Sequence, residues 1–207
     1  MNGVITDDED LHELATIEVF GDIGVHLTSE NYRIFCLGRT DITAFRDLFE
    51  KFEIHDQNMN EVIATKSLRY QRLIRGNLKV YPGIVELINK LYKKYTLALT
   101  SSSTFDEVQV VVDHLGINDL FKVIVTSKDV LHGKPDPEPY IFTADKLNVA
   151  CENCLVIEDS ENGILSAKKA GMKCVAIPNT EDPNKLIKAD RIIDNYSLLT
   201  DAYIQNV

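Results

Sequence analysis

The sequence predicts an α/β fold, a parallel-sheet core with a small helical domain inserted near its start. Three observations carry that expectation. The apolar runs TLALT, FKVIV, CLVI and CVAI are too short for helices and suit strands buried on both faces. Segments of helical spacing, roughly ten residues each, separate these runs, which is the pattern of βαβ units with right-handed crossovers. A stretch over residues 8–78 is helical in texture and holds no convincing strand.

In chain order, MNGVITD reads as the end of a strand and a turn, and by texture it belongs with the α/β part. A first helix follows, with Leu11, Leu14, Ala15, Glu18 and Val19 at helical spacing and Asp7 or Asp8 as its cap; Gly21 and Gly24 end it. A second helix runs through TAFRDLFEKF, with Ala44, Phe45, Leu48, Phe49 and Phe52 on one stripe. A third runs from Asn60 to about Ile74 and carries Lys66, Arg69, Arg72 and Arg75 on a face expected to be solvated. After Tyr81-Pro82-Gly83 come the helix GIVELINKLYKKY, the strand TLALT, the helix FDEVQVVVDHLGI and the strand FKVIVTS. The loop HGKPDPEP, the helix YIFTADKLN, the strand CLVIEDS, the helix NGILSAKKAG and the strands KCVAIPN and RIIDN complete the chain. The domain organisation expected is therefore 1–7 with 79–207 as α/β core and 8–78 as helical insert.

Length and composition fit one mid-sized globular domain: 207 residues, 44% hydrophobic and 26% charged. A net charge of −10 gives no basic field for nucleic acid or an anionic membrane. No stretch of 18 apolar residues and no basic-then-apolar leader is present, so a cytoplasmic location is expected. The four cysteines are Cys36, Cys151, Cys154 and Cys174; CENC has no second ligand pair nearby and is read as free thiols.

Ligands of open parallel sheets bind at the C-terminal ends of the strands. After TLALT stand Ser101, Ser102, Ser103 and Thr104, hydroxyls at a helix N-terminus, where an anion is favoured, although for any one of them alone helix capping is the commoner role. Lys134 sits in HGKPDPEP, a loop stiffened by Pro135, Pro137 and Pro139. Glu158 and Asp159 follow an apolar strand directly. Adjacent carboxylates repel, and a hard cation such as Mg²⁺ relieves that repulsion.

Hydroxyl, lysine and paired acids in that order resemble the haloacid dehalogenase-like hydrolase superfamily, in particular its β-phosphoglucomutase-like and phosphoglycolate-phosphatase-like branch. YPGIVELINKL, LALTSSS, GKPDPEPY, VIEDSENGILSAKKAGM and ADRIID carry the resemblance over essentially the whole chain. It implies a core of Rossmann-like topology, with the helical insert as a cap that closes over the site. It implies that Ser101 binds the transferring phosphoryl group, that Lys134 neutralises its charge, and that Glu158 and Asp159 hold Mg²⁺. Ser102 and Ser103 would line the phosphate site. From the insert, His12 would meet substrate on closure and Arg39 would take a second anionic group.

Family members open with an apolar strand ending in Asp-x-Asp-Gly. Aligned on Gly3-Val4-Ile5-Thr6-Asp7, Met1 falls on the x and Asn2 on the second Asp. The nucleophilic Asp is then expected just upstream of Met1, on a first core strand that is truncated here. Asn2 would be the catalytic-position residue and a metal contact through its carbonyl, but an amide cannot shuttle a proton. The function expected is a Mg²⁺-dependent phosphatase of a small phosphorylated metabolite working through an aspartyl phosphate. The alternatives are a sugar-phosphate mutase and a catalytically dead phosphate-binding homologue. A dehalogenase needs no metal and fits poorly. The expected partners are that metabolite, neither nucleic acid nor membrane, and the expected state is monomer or homodimer.

Overall fold

The computed structural model describes all 207 residues. It opens with a tight turn: the Gly3 N–H donates to the Thr6 carbonyl at 2.8 Å and the Ile5 N–H to the Met1 carbonyl at 2.7 Å. Four helices follow, α1 (Glu9–Asp22), α2 (Ser29–Phe35), α3 (Asp41–Lys51) and α4 (Met59–Asn77). They bury a cluster of their own that includes Val19, Phe20, Leu27, Phe45, Leu48 and Val62. Phe20 meets Phe45 edge to face at 5.1 Å. Each such side chain contributes about 2–3 kcal/mol by leaving water, so the block has a core independent of the sheet.

The remainder alternates as expected. Helix α5 (Ile84–Tyr92) precedes β1 (Leu97–Thr100), α6 (Phe105–His114), β2 (Phe121–Val125), α7 (Glu138–Leu147), β3 (Leu155–Glu158), α8 (Glu161–Lys169), β4 (Lys173–Ala176), β5 (Arg191–Ile192) and α9 (Asp201–Ile204). All strand pairs are parallel. The strands form two ladders, β2 with β1 and β3 with β4 and β5. Every residue of β1 and of β3 lines one cavity of about 680 Å³ that lies between the two ladders. The opening turn is stitched to the core, since the Asp7 N–H donates to the Lys79 carbonyl and the Tyr81 N–H to the Ile5 carbonyl.

Several local expectations are corrected. The helical block has four helices, because Thr28 and Asn31 form a reciprocal cap that starts α2. Helix α4 continues through Gly76 to Asn77. Leu14, placed by spacing on the apolar stripe of α1, is 41% exposed. Asp8 occupies the N-cap position of α1 without making a side-chain cap bond; its carboxylate turns inward instead. Lys66 is not on a solvated face: it is 2% exposed.

Candidate active site

Three loops reach the C-terminal rim of the sheet. The first leaves β1 at Ser101, whose N–H donates to the Val125 carbonyl at 2.9 Å. Thr104 is the helix cap of α6, in a reciprocal box with Glu107, so the three serines before it are free of that duty. The Ser103 N–H donates to Ser101 Oγ at 3.2 Å, and Ser103 Oγ donates to the Asn2 amide oxygen at 2.9 Å.

The second loop brings Lys134 beneath the first. Its side chain is 9% exposed and forms an ion pair with Glu158. It lies 5.1 Å from the centre of the Tyr140 ring, and Tyr140 Oη donates to the same Glu158 oxygen at 2.7 Å. The third loop carries the acids. The second Glu158 oxygen accepts from the Asp159 N–H at 3.1 Å and from Ser160 Oγ at 3.1 Å. Burial alone would raise the Glu158 carboxyl; the charge and hydrogen bonds of Lys134, with help from Tyr140, pull it down to about 2. Asp159 is pushed the other way, up to about 7, by burial and then by the charge of Glu158.

Asp159 is therefore a buried carboxyl made costly to ionise by its neighbours, with the Thr180 hydroxyl as its side-chain partner. A hard divalent cation suits such a site, because it supplies the charge that burial and Glu158 withhold. Gly3 permits the approach: at φ +74°, an added Cβ would stand 1.8 Å from Asp159 Oδ2. Asn179 fastens this turn by donating to the Gly3 carbonyl at 2.7 Å. Asn179, Thr180 and Tyr140 were not singled out from the sequence, although Asn179 and Thr180 follow β4 where the strand-end rule points.

Position 2 faces the helical block. Asn2 Nδ2 lies 3.1 Å from both Asp8 carboxylate oxygens and 2.6 Å from His12 Nε2. His12 stacks on Tyr70 at 3.8 Å. Lys66 Nζ stands 2.9 Å from His12 Nδ1, 2.9 Å from Asp41 and 3.2 Å from Glu107. Burial, reinforced by the Lys66 charge, holds His12 well below the ordinary imidazole range. Burial would lower Lys66 as well, but Asp41 and Glu107 outweigh it and keep the ammonium charged.

Asn2, Ser101, Ser102, Ser103, Lys134, Glu158, Asp159, His12 and Arg39 all line the same cavity. The Arg39 guanidinium is nevertheless occupied. It donates to the Phe35 and Thr43 carbonyls at 3.1 and 3.2 Å and to Asp47 at 2.7 Å.

A parallel α/β core whose strand ends gather serines, a lysine and paired acids defines a class of proteins that handle an anionic group beside a cation. Within that class, the chain belongs to the haloacid dehalogenase-like hydrolase family, whose sequence profile matches residues 1–177. It is 30% identical over 198 residues to a phosphorylated carbohydrates phosphatase of Thermotoga maritima, covering 93% of this chain and 89% of that one. It is 37% identical over 112 residues to the validoxylamine A 7'-phosphate phosphatase of Streptomyces hygroscopicus subsp. limoneus, covering 54% of this chain and so spanning about half (53%) of that relative's length. The crystal structure of a CbbY mutant from Rhodobacter sphaeroides in complex with xylulose-(1,5)bisphosphate superposes with a TM-score of 0.87 at 25% identity, covering 96% of this chain and 93% of that one.

Proposed function

We propose that the protein is a Mg²⁺-dependent phosphatase of a small phosphorylated metabolite, with residues 8–78 closing as a cap over a core of 1–7 and 79–207. The observation that supports this most directly is the meeting of Ser101, Lys134, Glu158 and Asp159 at one rim of the sheet, around the turn that begins at Met1. Phosphoryl transfer needs positioning and charge neutralisation more than covalent chemistry from the protein. Ser101 holds phosphoryl oxygens before the N-terminus of α6, whose dipole favours the anion. Lys134 offsets their charge and is itself kept in place by Glu158.

Asp159, with Glu158 behind it and Asn2 alongside, would hold Mg²⁺, which neutralises charge on the phosphate when bound. The cavity walled by β1 and β3 also reaches Met1, and we take it as the place of one more strand. We place the nucleophilic carboxylate at the end of such a strand. Its oxygen attacks phosphorus and breaks the P–O ester bond; the departing alkoxide takes a proton from water, and the hydroxide so formed cleaves the acyl phosphate, releasing phosphate and restoring the carboxylate. The closed helical block would keep bulk water out while the phosphoryl group passes to the carboxylate, and its reopening would admit the water that cleaves the acyl phosphate.

With Asn2 in place of an acid–base, water has to carry the proton in both half-reactions; hydrolysis admits that water, whereas isomerisation of a sugar phosphate must keep water from the phosphoenzyme, so Asn2 favours hydrolysis. The test is phosphate release by a chain that carries the added strand, supplied with Mg²⁺ and a broad panel of sugar and organic phosphates. Absence of release across that panel overturns the reading. Asn2→Asp assayed for interconversion of glucose 1-phosphate and glucose 6-phosphate separates the mutase alternative.

A further inference from the structure

The wall of the cavity opposite the sheet rim comes from the helical block and includes Glu9, Tyr32, Arg39, Asp41 and Lys66. Both of these cations are committed elsewhere. Arg39 gives its guanidinium to Asp47 and two backbone carbonyls. Lys66 sits between Asp41 and Glu107, with a side chain only 3% exposed. Three carboxylates, Glu9, Asp41 and Glu107, stand against the one ammonium of Lys66. Glu9 accepts from Tyr32 Oη at 2.6 Å through one oxygen, and its other oxygen has no partner among the hydrogen bonds. A second anion brought to this wall would lose its hydration and find net negative charge; a hydroxyl would find carboxylate acceptors.

We propose that this wall selects phosphate monoesters whose remainder is uncharged and hydroxyl-bearing, and turns away those with a second phosphate or a carboxylate. Glu9 and Asp41 are the specificity-determining residues, accepting hydrogen bonds from substrate hydroxyls. The selection rests on the phosphatase reading for the position of the first phosphate at the sheet rim. It differs from the notion that Arg39 serves a second anionic group.

Calorimetric titration of the full chain in Mg²⁺ tests it with two matched pairs, glucose 6-phosphate against 6-phosphogluconate and fructose 6-phosphate against fructose 1,6-bisphosphate. The doubly anionic member of each pair should bind roughly 10- to 100-fold more weakly, as like-charge juxtaposition dictates. Glu9→Gln should weaken the singly charged member, and Asp47→Asn, which releases Arg39, should narrow the gap. Equal or tighter binding of the doubly anionic members overturns the proposal. Phosphate release from the same ligands is scored separately, with the chain that carries the added strand. Preference without release leaves the selection standing and sinks the hydrolysis; release without preference does the reverse; binding of none sinks both.

Discussion

Replacing Lys66 with methionine removes the ammonium that two carboxylates from different parts of the fold share. Asp41 comes from α3 and lies 2.9 Å away; Glu107 comes from α6, has a side chain 0% exposed, and lies 3.2 Å away. At an effective dielectric of about 20, each contact carries roughly 5 kcal/mol of attraction, offset by the cost of dehydrating three charges. Without the lysine, the cluster's cheapest escape is to take up a proton. For an ordinary carboxyl at pH 7 that costs about 4 kcal/mol, and near pH 5 only about 1 kcal/mol. Lys66→Met should therefore lower stability by about 3–4 kcal/mol at pH 7, a fall in Tm of about 6–16 °C for a chain of this size. Urea unfolding at pH 7 and pH 5 measures it, with an unchanged m-value and a loss that shrinks on acidification. A variant within about 0.5 kcal/mol of the parent at pH 7, or a loss that grows toward pH 5, would refute the reasoning. Adding Glu107→Gln should restore part of the loss.

Two further outcomes follow from the site. Asp159 has a folded-state pKa raised from 3.8 to about 7, so its contribution to stability is present below pH 3.8 and is lost as pH rises through 7. In chelator at pH 8, Asp159→Asn should be more stable than the parent by a few kcal/mol; Mg²⁺ should raise the parent's Tm and leave the variant's unchanged. A variant that still gains stability from Mg²⁺ would remove Asp159 from the cation site. His12 is held neutral well below its ordinary value of 6.5, so its contribution is present above pH 6.5 and is lost as pH falls. The slope is about 1.4 kcal/mol per pH unit below that point, and His12→Gln should flatten it in denaturant titrations between pH 6.5 and 5.

The strands were legible because LALT and LVI are short apolar runs bounded by turn residues, too short for helices, although only Leu99 of β1 and Val156 and Glu158 of β3 are buried. Helix α3 declared itself by one stripe, and Ala44, Phe45 and Leu48 are buried. Ser101, Lys134, Glu158 and Asp159 stood out because each follows a strand, and parallel strands bring such positions to one rim. What escaped the sequence is pairing at long range. Lys66 shares its helix with Arg69, Arg72 and Arg75 and reads as one more surface cation; its partners lie 25 and 41 positions away. Asp8 has the local chemistry of a helix cap, yet its carboxylate accepts from Tyr70, 62 positions on. Helix α2 was missed because its reciprocal cap uses Asn31 where Glu or Gln is usual, and Tyr32 alone of its residues is buried. Arg39 illustrates the same blindness: its sequence neighbourhood says nothing of Asp47 one helical face away.

The two ladders of the sheet divide the site as well as the core. Ser101 and Lys134 hang from the β1–β2 leaf, and Glu158 and Asp159 from the β3–β4 leaf. Among the contacts that cross the seam at the rim are the Lys134–Glu158 pair and the Tyr140–Glu158 bond, with the Asn179 tie to Gly3 close by. The spacing between phosphate-binding and cation-binding groups is thus a measure of how far the leaves stand apart. Whatever occupies the seam acts as a gauge block for the chemistry, and a side chain too bulky or too slight along β1 or β3 would be felt at the rim as misalignment before it was felt as instability.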